Sequence, residues 1–235
     1  MSLAYAAPPG PAGTPDWSQA GLERDATGTL VRVFGLEPDV AFEVLLPATH
    51  QAALPDGYQP ADLVLASAHG IPAAGAQRLR ALIADDTRAL IEAAAQLGHE
   101  LYVGSGFRSQ AEQVAIFAAQ VRRWGDADTA NRYSAQPGHS QHQLGTTLDF
   151  TLDFRAFRGS DAAAWLRDNA HSYGFVLPYT AAAIVRTGYV DEPWHARWLG
   201  RPLATALQSA SYQAWTDADA DDALSRLRAE AGLDS

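Results

Sequence analysis

At 235 residues, 47% of them hydrophobic and 19% charged, the chain is long enough to bury one large core or two small ones, and disorder throughout is excluded. A formal charge of −10, with all 17 basic residues arginine and no lysine, argues against a nucleic-acid footprint, which needs clustered positive charge. The absence of cysteine excludes disulfides, thiol catalysis and cysteine-based metal sites, and no apolar stretch approaches the ~20 residues that cross a membrane.

Residues 1–16 are rich in Pro, Gly and Ala and read as a loose N-terminal segment that lacks the basic and apolar regions of a signal peptide. Residues 17–52 read as an extension containing a β-hairpin, with strands expected at 28–36 (GTLVRVFGL) and 40–47 (VAFEVLLP). A core follows over 53–200. It opens on an extended stretch at 54–64, followed by a long helix near 74–97 with Leu79, Leu82, Ile83, Leu90, Ile91, Ala94 and Leu97 on one stripe and Gly98 as its stop. ELYVGSGF (100–107) reads as a strand. Ser109 and Glu112 form a capping-box pattern opening a helix that runs to about Trp124. In TTLDFTLDF (146–154), Thr147, Asp149 and Thr151 alternate with Leu148, Phe150 and Leu152, the period of a strand. A helix capped at Ser160/Asp161 ends by Gly174, and strands are expected at 174–179 and 189–199. Residues 201–235 form a helical extension, with Pro202 in the first turn of one helix and WTDADADDALSRLRAEAG (215–232) as another. The sum is a single α+β domain with a small antiparallel sheet and helices packed around it.

Two histidines and an acid in PGHSQHQLGTTLDF (137–150) invite two readings. One is a polar loop feeding a strand whose Asp149 faces solvent. The other is a metal site, with Gly145 allowing the chain to turn His142 back onto Asp149. His195, between Trp194 and Trp198, reads equally as a core histidine or as a third ligand, and Glu192 as a surface acid or a base. Two His and one Asp make a plausible three-ligand zinc set that leaves a position for water, with a non-ligand carboxylate free to move protons. Pro193 between Glu192 and His195 disfavours the helical arrangement of such residues, so the set must be assembled from strands and loops.

SQHQLGTTLD (140–149) resembles the S-x-H-x-x-G-x-A-x-D signature of VanY-type D-alanyl-D-alanine carboxypeptidases, zinc peptidases grouped with lysostaphin and the hedgehog amino-terminal domain. EPWHARWLG (192–200) resembles their E-P-W-H-x-R-Y-V-G, and GSGFRSQAEQ (104–113) their S-G-Y-R-S-x-x-x-Q. LPDGYQPADLV, NAHSYGFVLPY and TGYVDEPWH match further pieces in the family's order. The resemblance implies that His142, Asp149 and His195 bind Zn²⁺ and that Glu192 is the base activating the attacking water. It also implies that Arg108 steadies the substrate carbonyl or carboxylate, and that Ser140 and Gln113 line the substrate pocket. His139 is expected to shape the loop. The implied reaction is removal of the C-terminal D-amino acid from peptidoglycan stem peptides in the cell envelope, periplasmic or extracellular. The partner is then the stem peptide, with no nucleic acid and no membrane span. An L,D-carboxypeptidase, a peptidoglycan endopeptidase and a non-catalytic zinc-containing wall-binding module are the alternatives.

Four positions depart from the family pattern: Thr147 replaces Ala, Phe107 and Trp198 replace Tyr, and Pro178 stands where many members carry Arg. DADADD (217–222) opens like a calcium loop, but Asp222 occupies the Gly position and Arg228 the Glu position, so it reads as an acidic helix start. His69 and His171 read as structural.

Overall fold

The computed structural model describes residues 21–209 and, beyond them, residues 229 and 232. The described residues open on a hairpin of β1 (Leu22–Arg24) and β2 (Leu30–Val33). The segment expected as its second strand is instead helix α1 (Pro38–Val44). Pro38 suits a first helical turn, and Ala41, Val44 and Leu45 are buried at helical spacing, which an eight-residue apolar run does not distinguish from a buried strand.

The long helix expected from 74 starts ten residues later, as α2 (Ala84–Gln96) behind a short 3₁₀ turn. Before it, β4 (Arg78–Arg80) pairs antiparallel with β3 (Leu63–Leu65), so Leu79 reaches the core from a strand. Asp85 and Asp86 sit in α2's first turn, where the helix dipole favours acids, and Leu90, Ile91 and Ala94 form the buried stripe. Asp86 also takes Trp198 Nε1 at 2.8 Å and Arg201, tying α2 to the site-bearing sheet and the C-terminal helix.

Residues 100–107 are not a regular strand. They make only isolated bridges, Ala73↔Val103 and Ser105↔Asp149. Their backbone bonds go to several partners, Pro72, Asp149 and Arg78, and at Gly106 the approach is close: a Cβ there would lie 2.2 Å from the Arg78 carbonyl oxygen, so any side chain would push the two backbones apart.

Helix α3 (Gln110–Trp124) follows, with the expected capping box: Ser109 Oγ accepts from Glu112 N at 3.2 Å, and Glu112 Oε2 accepts from Ser109 N at 2.8 Å. Ser109→Ala should cost about 1 kcal/mol, measurable as a lower unfolding midpoint in urea. The short helix α4 (Ala127–Asn131) packs on α3.

The central sheet has strand order β5-β7-β6, from β5 (Thr147–Asp149), β7 (His195–Trp198) and β6 (Phe175–Val176), all antiparallel. The expected alternation of β5 holds for pairing but not for exposure. Thr147, Leu148, Asp149 and Phe150 are all buried, because one face carries the core and the other the site. The alternation lapses at Leu152, which is 55% exposed. Between β5 and β6 runs α5 (Asp161–Asn169), capped by Ser160 as expected and prolonged by a 3₁₀ turn to Gly174. The chain continues from β7 into α6 (Arg201–Ser209), with Pro202 in its first turn. The helix expected at 215–232 lies outside the described residues.

One main core fills the space between the sheet, α2, α5 and α6. Buried Arg197 of β7 donates from Nη2 to the Val44 and Leu46 carbonyls at 2.8 and 2.9 Å, fastening the end of α1 to the strand that begins with His195.

Candidate active site

The sheet register brings the first two candidate ligands together: Asp149, last residue of β5, pairs directly with His195, first residue of β7. Facing residues of an antiparallel pair project to the same side. His142 joins them from a 3₁₀ turn (Gln141–Leu144) capped by Ser140 and ended by Gly145, which has φ +68°. A Cβ on Gly145 would meet Arg80, Leu63 and Pro60 at 3.0–3.3 Å, so both conformation and space call for glycine where the chain reverses into β5.

His142 Nε2 lies 3.3 Å from Asp149 Oδ2, and His195 Nδ1 lies 3.2 Å from Asp149 Oδ1. All three residues are buried, and their donor atoms fall within 4.8 Å of one another. Each imidazole is held on its far side. His142 Nδ1 is 2.9 Å from the Gly106 carbonyl oxygen, which can only accept, so Nδ1 carries the proton and Nε2 presents its lone pair. His195 Nε2 is 3.1 Å from Gln141 Oε1, which leaves Nδ1 as the inward donor. Burial lowers the His195 pKa to about 4, so the ring is neutral near pH 7. Burial opposes ionisation of Asp149, but the two imidazoles outweigh it and hold the carboxyl below the usual range. Two imidazoles and one carboxylate at 3.2–3.3 Å fit a tetrahedral ion, whose ligands stand ~3.3 Å apart when bonds are ~2.0–2.1 Å.

Glu192 Oε2 is 3.7 Å from His195 Nδ1. Its backbone N–H donates to the Tyr179 carbonyl, and its own carbonyl accepts from His195 N, so the turn containing Pro193 holds acid and histidine in fixed relation. Burial first, and then the Asp149 charge, raise its pKa well above the ordinary carboxylate range; Arg108 and Arg158 oppose them. Arg158, itself ion-paired with Asp191, lies over the Trp194 ring. Arg108 is half-buried, and its desolvation lowers its pKa. Its Nη1 donates to Gln113 Oε1 at 2.8 Å and its Nη2 to Ser105 Oγ at 3.0 Å.

An open cleft of about 500 Å³ runs over these groups, lined among others by Arg108, Ser140, His142, Asp149, Glu192 and His195. Ser140 reaches it, although its Oγ also accepts from His142 N. Gln113 is fully buried, its amide occupied by Arg108, Ser134 and the Ala135 carbonyl, so it touches the cleft only through the arginine it holds. His139 stands apart, its Nδ1 2.6 Å from the Thr49 carbonyl, bracing the loop. Three of the four departures from the family pattern have local accounts: Thr147 is fully buried, Phe107 packs under Arg78, and Trp198 bonds Asp86; nothing in the structure explains Pro178. Gln141 was not legible as a site residue. Its sequence signal is only adjacency to His142, and the bond to His195 spans 54 positions.

Three convergent donors with a second carboxylate, Glu192, beside them define a mononuclear metallohydrolase-type centre. Comparison with known proteins specifies it further. The family model described as "VanY: D-alanyl-D-alanine carboxypeptidase" matches residues 76–201, more than half of the chain, and the chain belongs to this family. The Bacillus subtilis (strain 168) protein YodJ is 32% identical over 200 residues, covering 81% of this chain and 73% of its own. The vancomycin-resistance D,D-pentapeptidase VanY, solved in complex with Zn(II), superposes with a TM-score of 0.61 at 26% identity, over 71% of this chain and 94% of that one. The LD-carboxypeptidase LdcB, solved to reveal the basis of peptidoglycan recognition, gives 0.64 at 28% identity, over 83% and 92%.

Proposed function

We infer that His142, Asp149 and His195 hold a zinc ion and that Glu192 is the general base acting beside it. The protein is a zinc-dependent D-alanyl-D-alanine carboxypeptidase, and its substrate is the C-terminal D-alanyl bond of a peptidoglycan stem peptide. The observation that carries this reading is the half-buried Glu192 carboxylate, 3.7 Å from His195 Nδ1 and on the same cleft as all three donors. A site that only stored metal would have no use for a desolvated acid at that place. Work on peptidoglycan puts the protein at the cell wall. Among the described residues no helix is long and apolar enough to cross a membrane.

Bound zinc supplies Lewis acidity, which makes water a nucleophile near neutral pH and polarises the scissile carbonyl. The protein's own groups do the rest. Glu192 takes a proton from the attacking water and returns it to the leaving amine nitrogen, and its raised pKa matches both halves of that task. Arg108, kept in place by Gln113 and Ser105, offers its guanidinium to the oxygen on which charge develops or to the terminal carboxylate. Gln141 keeps Nε2 of His195 protonated and Nδ1 turned inward. Gln141→Leu should therefore weaken zinc binding by about 10–100-fold in a chelator competition titration.

The test is incubation of zinc-supplemented protein with defined stem peptides and mass spectrometry of the products. Loss of a single D-alanine from the pentapeptide is the expected outcome. If the tetrapeptide alone is trimmed, the specificity is L,D, as the likeness to LdcB allows. Tight binding of wall fragments without any cleavage would replace the enzyme with a binding module.

A further inference from the structure

The cleft continues beyond the metal-type centre to the C-terminal turn of α3, where Arg123, Trp124 and Tyr133 also line it. Trp124 and Tyr133 stack with ring centroids 4.2 Å apart and planes 11° from parallel. The Arg123 guanidinium lies over the Trp124 ring, 5.3 Å from its centroid, and Trp124 Nε1 donates to Gln120 Oε1 at 3.2 Å. This is an ordered aromatic shelf that remains open to solvent, Trp124 and Tyr133 being 37% and 38% exposed.

The charges along the cleft sharpen the point. Of its three arginines, Arg158 is ion-paired with Asp191. Arg108 is held by the neutral groups of Gln113 and Ser105, and Arg123 has no ion pair among the described residues. A basic residue in a last helical turn ordinarily complements the helix dipole, and Arg122 beside it suffices for that. The dipole does not account for a guanidinium laid over an indole on the wall of the substrate cleft.

The helix itself measures the separation. Gln113, which holds Arg108, and Arg123 are ten residues apart on α3, or roughly 15 Å at 1.5 Å per residue. An extended peptide advancing ~3.3 Å per residue spans that distance in roughly four to five residues. Resting on the carboxypeptidase reading above, we propose that Arg123, backed by Trp124 and Tyr133, forms an outer subsite. It binds a free carboxylate carried on the substrate roughly four residues before the C-terminus, while Arg108 serves the terminal residue. The cleft thereby selects a long, doubly anionic peptide over a dipeptide.

The experiment uses the zinc-supplemented full chain and two hexapeptides ending in D-Ala-D-Ala, one with glutamate and one with glutamine at the second position, four residues before the C-terminal one. Arg123→Gln removes the charge from an exposed site and leaves the stack of Trp124 and Tyr133 in place. The variant should raise KM for the glutamate peptide on the order of fivefold more than for its glutamine twin, with kcat for the two peptides affected alike. An equal change in KM for both peptides, or none, overturns the subsite. If the wild-type protein cleaves neither peptide, the hydrolase reading fails, and the subsite is then judged by titrating the same peptides against protein fluorescence. Weaker binding of the glutamate peptide to Arg123→Gln upholds it, and unchanged binding overturns it.

Discussion

Glu192→Gln is expected to lower stem-peptide cleavage by about 10²-fold or more while leaving zinc content and unfolding behaviour close to those of the unaltered protein. The substitution keeps the shape of the side chain and one hydrogen-bonding oxygen, but it cannot accept and return a proton. Because Glu192 stands 3.7 Å from His195 Nδ1 and is not one of the three convergent donors, the metal site should survive. The effect should fall on kcat, since the proton moves only in the reaction itself. A variant that cleaves at the unaltered rate would remove Glu192 from the role of base. Stability gives a second, opposite signature. The carboxyl's raised pKa means that the folded protein binds its proton more tightly than the unfolded chain, so the group's contribution is present at low pH and is lost as pH rises. Glu192→Gln should therefore stabilise the metal-free protein slightly more at pH 8 than at pH 5.

Much of the site was legible in the sequence because its residues sit in short, ordered motifs. Asp149 and His195 each fall at a strand end, and the register that pairs them is set by the apolar residues on the other face, Leu148 opposite Ala196. What the sequence hid was of two kinds. Short apolar runs do not separate a buried helix from a buried strand, so Pro38–Val44 read as a strand and Arg78–Arg80 as part of a helix. Groups that act on a ligand from far along the chain leave no local trace. Gly106 orients His142 through a backbone carbonyl, and no side chain marks that role. Gln141 meets His195 only after the sheet has closed. The pairing of Arg108 with Gln113 lies between these cases, because both residues are in a recognisable motif but their direct bond appears only in three dimensions.

Removing a ligand should have an all-or-none effect on the metal. His142→Ala and His195→Ala are each expected to leave the protein without stoichiometric zinc after dialysis, read by elemental analysis, and consequently without peptidase activity. The reasoning is geometric. The site presents one carboxylate and two imidazole donors, and two remaining donors would leave half of a tetrahedral shell to water. The two rings are also not interchangeable with nearby histidines. His139 is only three positions from His142, but its Nδ1 is 2.6 Å from the Thr49 carbonyl and it is absent from the donor cluster. His139→Ala should accordingly retain one zinc per chain, with any loss appearing as a lower unfolding temperature where the loop is anchored. Zinc lost from His139→Ala but kept in His142→Ala would reverse the ligand assignment, and with it the placement of Glu192 beside the metal. Zinc lost from both His142→Ala and His195→Ala but kept in His139→Ala fixes the ion between β5, β7 and the turn before β5, the place from which Glu192 and Arg108 both reach a bound peptide.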